Sequence, residues 1–399
     1  MTILDTLRRP CLALAVTIPL AACGGGSDPA PVTQTPAFDA KALIANVVDN
    51  VIVATYANLD ARADALLAAV VALQEGGATD LELDAAQQAW RDARKPWEAS
   101  EGFIFGPVDA LAIDPAIDSW PLNTPDLAAF IATNPAASQA DVENAGDDLR
   151  GFHAIEYLLF GDGVVDNDRD AGELTAGELN YLVALTRAFA ARTRQLTDAW
   201  SVDFNGAGPY SGLLKTAGAA GNAAYSSGGA VLEELINAVA GIADEVANAK
   251  IAEPYGASAA AADTSLVESQ YSWNSLADFH DNLQSILNVY TGQRGFDPDS
   301  ATISAASPGL YAFVASRDVA LAERVLAETI AAQRRIALIN GDGNDRTTAI
   351  VGIAKPFREQ ISDATGRALI AEAIAAISTL LRSLDGEVLP LVGTTQVSN

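Results

Sequence analysis

The chain has 399 residues, 50% of them apolar, and a formal net charge of -27. That length allows two ordinary domains or one large one, with a substantial core. The charge excludes a protein that tracks nucleic-acid phosphates or lies on a membrane by a polybasic patch. The two cysteines, Cys11 and Cys23, both stand near the start, so the body holds no disulfide, thiolate zinc site or thiol nucleophile.

The opening residues read as a targeting segment. Arg8 and Arg9 precede an apolar run, CLALAVTIPLAAC, that is too short to span a membrane. It ends in Leu20-Ala21-Ala22-Cys23, which looks like a lipobox. This reading makes residues 1–22 a signal peptide, with cleavage before Cys23 and a lipid on its thiol. An ordinary secretory signal with a chance cysteine is the alternative. Residues 23–37 are rich in Gly, Pro, Ser and Thr and read as a flexible tether. Gly24 and Gly25 stand where an inner-membrane retention aspartate often lies, so the expected location is the outer membrane, facing the periplasm or the cell surface.

Helices follow. Apolar residues spaced by three and four predict a helix over 41–74, stopped by Gly76-Gly77. A second is predicted over 80–100, with Thr79 as its cap. Residues 102–124 hold three prolines and are expected to form a structured loop. Further helices are expected over 141–160, 173–200, 226–249, 275–291, 308–339 and 365–387, with a break at 161–172. The fold class is all-α, built as helical bundles. A boundary is expected near 252–265, with one lobe over 38–251 and another over 252–399.

Three stretches carry candidate chemistry. In GFHAIEYLLFG, residues 151–161, His153 and Glu156 stand at i and i+3. On a helix their Cβ atoms lie about 5–6 Å apart, so both could reach one cation. The helix is strongly apolar, so a hydrogen-bonded core pair fits the spacing equally well. In WRDARKPWEASEGFIFGPVD, residues 90–109, Arg91, Arg94, Glu98 and Glu101 recur every three or four positions. Such a row is often a solvated salt-bridge face. Here Trp90 and Trp97 flank it, so Glu98 or Glu101 could ligate a cation that Arg94 helps to orient. In residues 269–292, His280 lies among Asp278, Asp281 and Asn282. It reads as a partly exposed helix histidine, with a second-lobe ligand as the alternative.

Taken together these stretches resemble the imelysin-like family, also classed as the M75 peptidase group. GFHAIE fits its GxHxxE signature. The spaced AR-P-WE-SE-F-FGP at 93–107, IDSWP at 117–121 and SWNS with DF-DN and YTG at 272–292 occur in the expected order. The resemblance implies two helical lobes with a site near their meeting, and an exported protein linked to iron uptake. It implies metal candidates His153, Glu156, Glu101 and Glu98, with Arg94, Asp278 and Asn282 as binding candidates.

Three functions remain open. The first is a lipid-anchored protein that binds a metal ion, iron above all with zinc as an option, or a metal-bearing ligand such as haem, and works with an uptake-system protein. One histidine with carboxylates is a hard-leaning donor set that suits iron or manganese. The second is a metallopeptidase of the M75 type, although HExxH is absent and position 157 is Tyr. The third is an interaction scaffold. No P-loop, CxxCH or GxSxG motif occurs in the sequence, and the acidic stretches 166–173 and 341–347 lack EF-hand spacing.

Overall fold

A computed structural model describes residues 37–339, 356–394 and 397–398. Its long helices are α1 (Lys41–Glu75), α2 (Asp80–Glu98), α3 (Phe152–Phe160), α4 (Ala176–Ser201), α5 (Gly228–Asp244), α6 (Ser275–Thr291), α7 (Val319–Ile339) and α8 (Ala364–Thr394). The all-α expectation holds. The strand content of the described residues is one parallel pair, Phe38–Asp39 with Val397–Ser398.

Local chemistry sets the helix ends. Thr79 and Glu82 form a reciprocal capping box at the start of α2, and Thr175 and Glu178 do the same for α4. Each box satisfies amide groups that a helix start leaves unpaired. The buried stripe of α2 runs through Leu83, Ala86, Gln87, Trp90, Ala93, Arg94, Trp97 and Glu98. Its first part is an ordinary apolar seam. Its last turn carries Arg94 and Glu98 inward on the same face.

Helices α1, α2, α3 and α4 pack as one bundle, and α5, α6, α7 and α8 as another. Both lie within a single compact unit from Ala37 onward. The bundles meet where α2 lies against α6 and where the turn Glu101–Phe103 lies against α5 and α6. All of α6 is buried, so it forms the central post of the seam. Helix α5 precedes residue 252 yet packs with the later helices. The change of bundle therefore comes before Gly228 in the chain, ahead of the small-residue stretch at 252–265.

Three local expectations need correction. The helix expected over 141–160 is interrupted: Gln139–Glu143 and a turn at Asp147–Leu149 precede α3. Gly151 breaks the run with φ +82, and a Cβ there would stand 2.4 Å from the Ile117 carbonyl oxygen. Residues 308–339 divide into Leu310–Ala315 and α7. The proline-containing loop at 102–124 holds short helices at Pro107–Ala110 and Ile113–Ile117. A further helix, Thr124–Thr133, starts at the Asn123 cap. Cys23 and the stretch 341–347 lie outside the described residues.

A buried acidic network at the seam between the bundles

Helices α2 and α3 are tied together before the site begins. Trp90 Nε1 donates to the Phe152 carbonyl at 3.0 Å, and Gln87 Nε2 donates to the Leu159 carbonyl at 3.0 Å. The Trp90 ring packs edge-on against Phe152 and Phe160. This clamp fixes the rotation of α3, and His153 and Glu156 consequently face inward, with neither exposed to solvent.

His153 Nδ1 lies 3.0 Å from Glu156 Oε2. The other Glu156 oxygen accepts from the Ser272 amide at 2.8 Å and the Ser272 hydroxyl at 2.7 Å. Both carboxylate oxygens of Glu156 are thus engaged, one on the imidazole and the other on Ser272, and its geometry is that of an orienting partner. The opposite ring nitrogen, Nε2, faces Asp118 Oδ1 at 3.2 Å and Glu268 Oε1 at 3.6 Å. It makes no aligned hydrogen bond to either. The Trp120 ring covers the imidazole, its centroid 4.7 Å away.

Arg94, fully buried, organises the carboxylates. Its guanidinium meets Glu98 at 2.6 Å, Glu268 at 2.6 Å, Asp278 at 3.1 Å, and Asp118. Asp118 also accepts from Trp97 Nε1, and Asp278 from Ser269 and Asn274. Asn282 Nδ2 donates to Glu98 at 2.6 Å and Glu101 at 2.9 Å, while its Oδ1 has no partner. Lys250 Nζ stands 3.0 Å from Glu101 and 3.2 Å from Glu268.

Five carboxylates, Glu98, Glu101, Asp118, Glu268 and Asp278, therefore face two permanent cations, Arg94 and Lys250, and a sixth, Glu156, meets His153. Burial shifts the titrations accordingly. Burial pushes the Glu98 carboxyl well above its usual range despite Arg94 and Lys250. Glu101 is also raised, by burial and then by Glu98. Asp278 is pushed up to about 6 and Asp114, nearer solvent, to about 7, in both cases mainly by burial. Burial acts to raise Glu268 too, but Lys250, His153 and Arg94 more than offset it and hold the group well below its usual range. Burial acts to lower His153, and the neighbouring carboxylates Asp118, Glu156 and Glu268 outweigh that and favour the imidazolium.

Such a site can take a cation. The donor atoms of Asp118, His153 and Glu268 lie within 4.8 Å of one another, as do those of Glu98, Glu101 and Asp118, and of Glu98, Glu268 and Asp278. His153 Nε2, without an aligned hydrogen bond and facing two carboxylates, offers a nitrogen-and-oxygen donor set to a metal ion that would take the place of the imidazolium proton. The carboxylate excess points the same way.

All seven sequence-stretch candidates, Arg94, Glu98, Glu101, His153, Glu156, Asp278 and Asn282, converge on this one network. Arg91 stays outside it, lying over the Phe160 ring with its guanidinium carbon 4.5 Å from the centroid. His280 is buried, not partly exposed, and belongs to none of the candidate cation groups among the described residues. Sequence reasoning missed Asp118, Glu268 and Lys250. Asp118 lay within the IDSWP motif and could have been singled out there. Glu268 precedes the 269–292 stretch by one residue and had no motif of its own.

Known proteins share this architecture. The imelysin model of the M75 peptidase group matches residues 52–384. Iron-regulated protein A of Synechococcus elongatus is 30% identical over 389 residues, 97% of this chain and 94% of that protein. The crystal structure of an iron-regulated protein A precursor from Parabacteroides distasonis superposes with a TM-score of 0.72 at 30% identity, covering 90% of this chain and 97% of that one. An imelysin-like protein from Psychrobacter arcticum shares the fold, with a TM-score of 0.65 at 15% identity over 90% and 96% of the two chains. With the family match running through both bundles and a relative of this identity along nearly its whole length, the chain belongs to the imelysin family.

Proposed function

We propose that the seam network binds a metal cation, and that the ion is iron. The observation that carries this reading is His153 Nε2, buried and without a hydrogen bond, with Asp118 at 3.2 Å and Glu268 at 3.6 Å. His153, Asp118 and Glu268 would hold the ion, and Glu156 would keep the imidazole turned toward it. Oxygen donors with one imidazole favour iron or manganese over soft-metal chemistry. The names of the two relatives at 30% identity support iron in particular. The lipobox ending at Cys23 supports an exported, lipid-anchored protein, held at the outer membrane and serving iron uptake beside a membrane partner.

A metallopeptidase reading draws on the cleft of about 410 Å³ that opens on Asp118 and Glu268. Hydrolysis would also need a carboxylate free to accept a proton from water. Glu156, the acid nearest the histidine in sequence, is engaged on both oxygens. Binding is therefore the better supported function.

The test uses residues 24–399, stripped with chelator and titrated calorimetrically with Fe(II), Fe(III), Mn(II), Zn(II) and Cu(II). Stoichiometric binding of iron by the parent, lost in a His153→Ala/Asp118→Asn variant that keeps its helical content, is the expected result. A folded parent that binds none of these ions rules out the metal site.

A further inference from the structure

The cleft that reaches the network is lined by Glu101, Asp114, Asp118, Glu245, Glu253 and Glu268, and its one cationic lining residue among the described residues is Lys250. Lys250 stands where the cleft meets the buried carboxylates. Its Nζ lies 3.0 Å from Glu101 Oε2, 3.2 Å from Glu268 Oε2 and 3.7 Å from Glu98 Oε2. Only 6% of the side chain is exposed. A positive charge ringed by the oxygens of three carboxylates, two of them shared with Arg94, occupies the kind of position that an oxygen-ligated metal ion takes.

Glu268 links this position to the site proposed above. Lys250 reaches both of its oxygens, Oε2 at 3.2 Å and Oε1 at 3.4 Å, and Oε1 also faces His153 Nε2 and Arg94. Deeper than the ammonium lie the unpartnered His153 Nε2 and Asn282 Oδ1, on residues fully withdrawn from solvent. Lys250, Asp118 and Glu268 line the cleft and His153 does not, so an ion arriving there meets Lys250 together with two of the proposed ligands. On the outer side Glu245 offers the ammonium another seat: its Oε1 is 3.9 Å from Nζ, and its side chain is 54% exposed. Lys250 itself rides on a π-helical turn, Glu245–Ile251, a local widening often found at functional sites.

We propose that Lys250 is a tethered cation that fills the mouth of the buried site in the absence of metal and is displaced toward Glu245 by a free metal cation arriving through the acidic cleft. The inference rests on the metal-binding reading above. It also defines the cargo as a free cation. An anionic chelate or a porphyrin with carboxylate arms would meet a wall of acids whose single lysine is already held by several of them. Exchange of one cation for another keeps the buried charge nearly constant, which limits the cost of moving charge in a low-dielectric interior.

Acetic anhydride labelling of the unaltered chain, read by peptide mass spectrometry, tests this without mutation. Lys41, Lys95 and Lys215 are exposed and serve as internal controls. Acetylation of Lys250 is expected to be slow in the stripped protein and about tenfold faster when it is saturated with Mn(II), the controls being unchanged. A Lys250→Met variant, which keeps the stem and removes the charge, is expected to bind Mn(II) about tenfold more tightly. If the parent binds Mn(II) but Lys250 stays protected, the displacement is wrong while the metal site stands. A folded Lys250→Met variant with parental affinity overturns it equally. A parent that binds no ion removes both this inference and the reading beneath it.

Discussion

Replacing Arg94 with methionine removes the cation around which the network is built. Methionine keeps an aliphatic stem against Phe152, whose ring centroid lies 5.0 Å from the guanidinium carbon. It leaves Glu98, Asp118, Glu268 and Asp278 without their shared partner. Removing one side of a buried ion pair costs about 3–5 kcal/mol. Folded proteins have only about 5–15 kcal/mol to lose. A fall of about 3–5 kcal/mol is expected at about pH 8, since proton uptake by the stranded acids limits any larger penalty. The sign of the pH dependence follows from linkage. Without Arg94 the folded-state carboxyls titrate higher than in the unfolded chain, so the folded state binds more protons and stability falls as pH rises. The deficit against the parent should therefore shrink toward about pH 5. Urea unfolding followed by far-UV circular dichroism measures it. Adding Asp278→Asn to the variant removes one stranded charge and should recover part of the loss. A deficit below about 1 kcal/mol at the higher pH, the scale of an exposed pair, would refute the reasoning. So would a deficit independent of pH.

Two further substitutions probe the geometry around His153. Gly151→Ala forces a side chain onto a residue at φ +82 and within 2.4 Å of the Ile117 carbonyl oxygen, so about 1–3 kcal/mol of strain should lower Tm and shift Asp118 away from the imidazole; a parental Tm would contradict this. Glu156→Gln keeps the side chain's size but removes the charge beside Nδ1, and should weaken Mn(II) binding by about 10–100-fold while leaving one ion per chain, as expected for an orienting partner. Unchanged affinity in a calorimetric titration would remove that role.

The parts of the site that the sequence disclosed are those fixed by local geometry. His153 and Glu156 share a face because they stand one turn apart on α3, and Arg94 and Glu98 because they do so on α2. Spacing placed α6 at 275–291, where the structure has it. What spacing could not disclose is depth. Glu268 and Lys250 look like any surface acid and lysine until tertiary neighbours enclose them. The polar residues of α6 suggested a half-exposed helix, yet packing on every side buries His280, Asp281 and Gln284 alike. Gly151 was read as part of a continuous helix. Its break comes from the close approach of the Ile117 backbone, a contact more than thirty positions away along the chain.

The charges of the network also fix how the bundles meet. Arg94, Glu98, Glu101, Asp118, His153 and Glu156 come from the α2–α3 side, whereas Lys250, Glu268, Asp278 and Asn282 come from the side of α5 and α6. Neither side is balanced alone. Arg94 needs Glu268 and Asp278 from across the seam, and Lys250 needs Glu98 and Glu101. Separating the bundles would return these charges to water, which offsets most of the lost pairing, so the network sets the register of the seam more than its strength. An ion held between Asp118, His153 and Glu268 would bridge the two sides directly, so its binding should strengthen the seam by mass action rather than merely occupy a cavity. In this family member, the proposed metal site and the meeting of the two bundles share one set of residues.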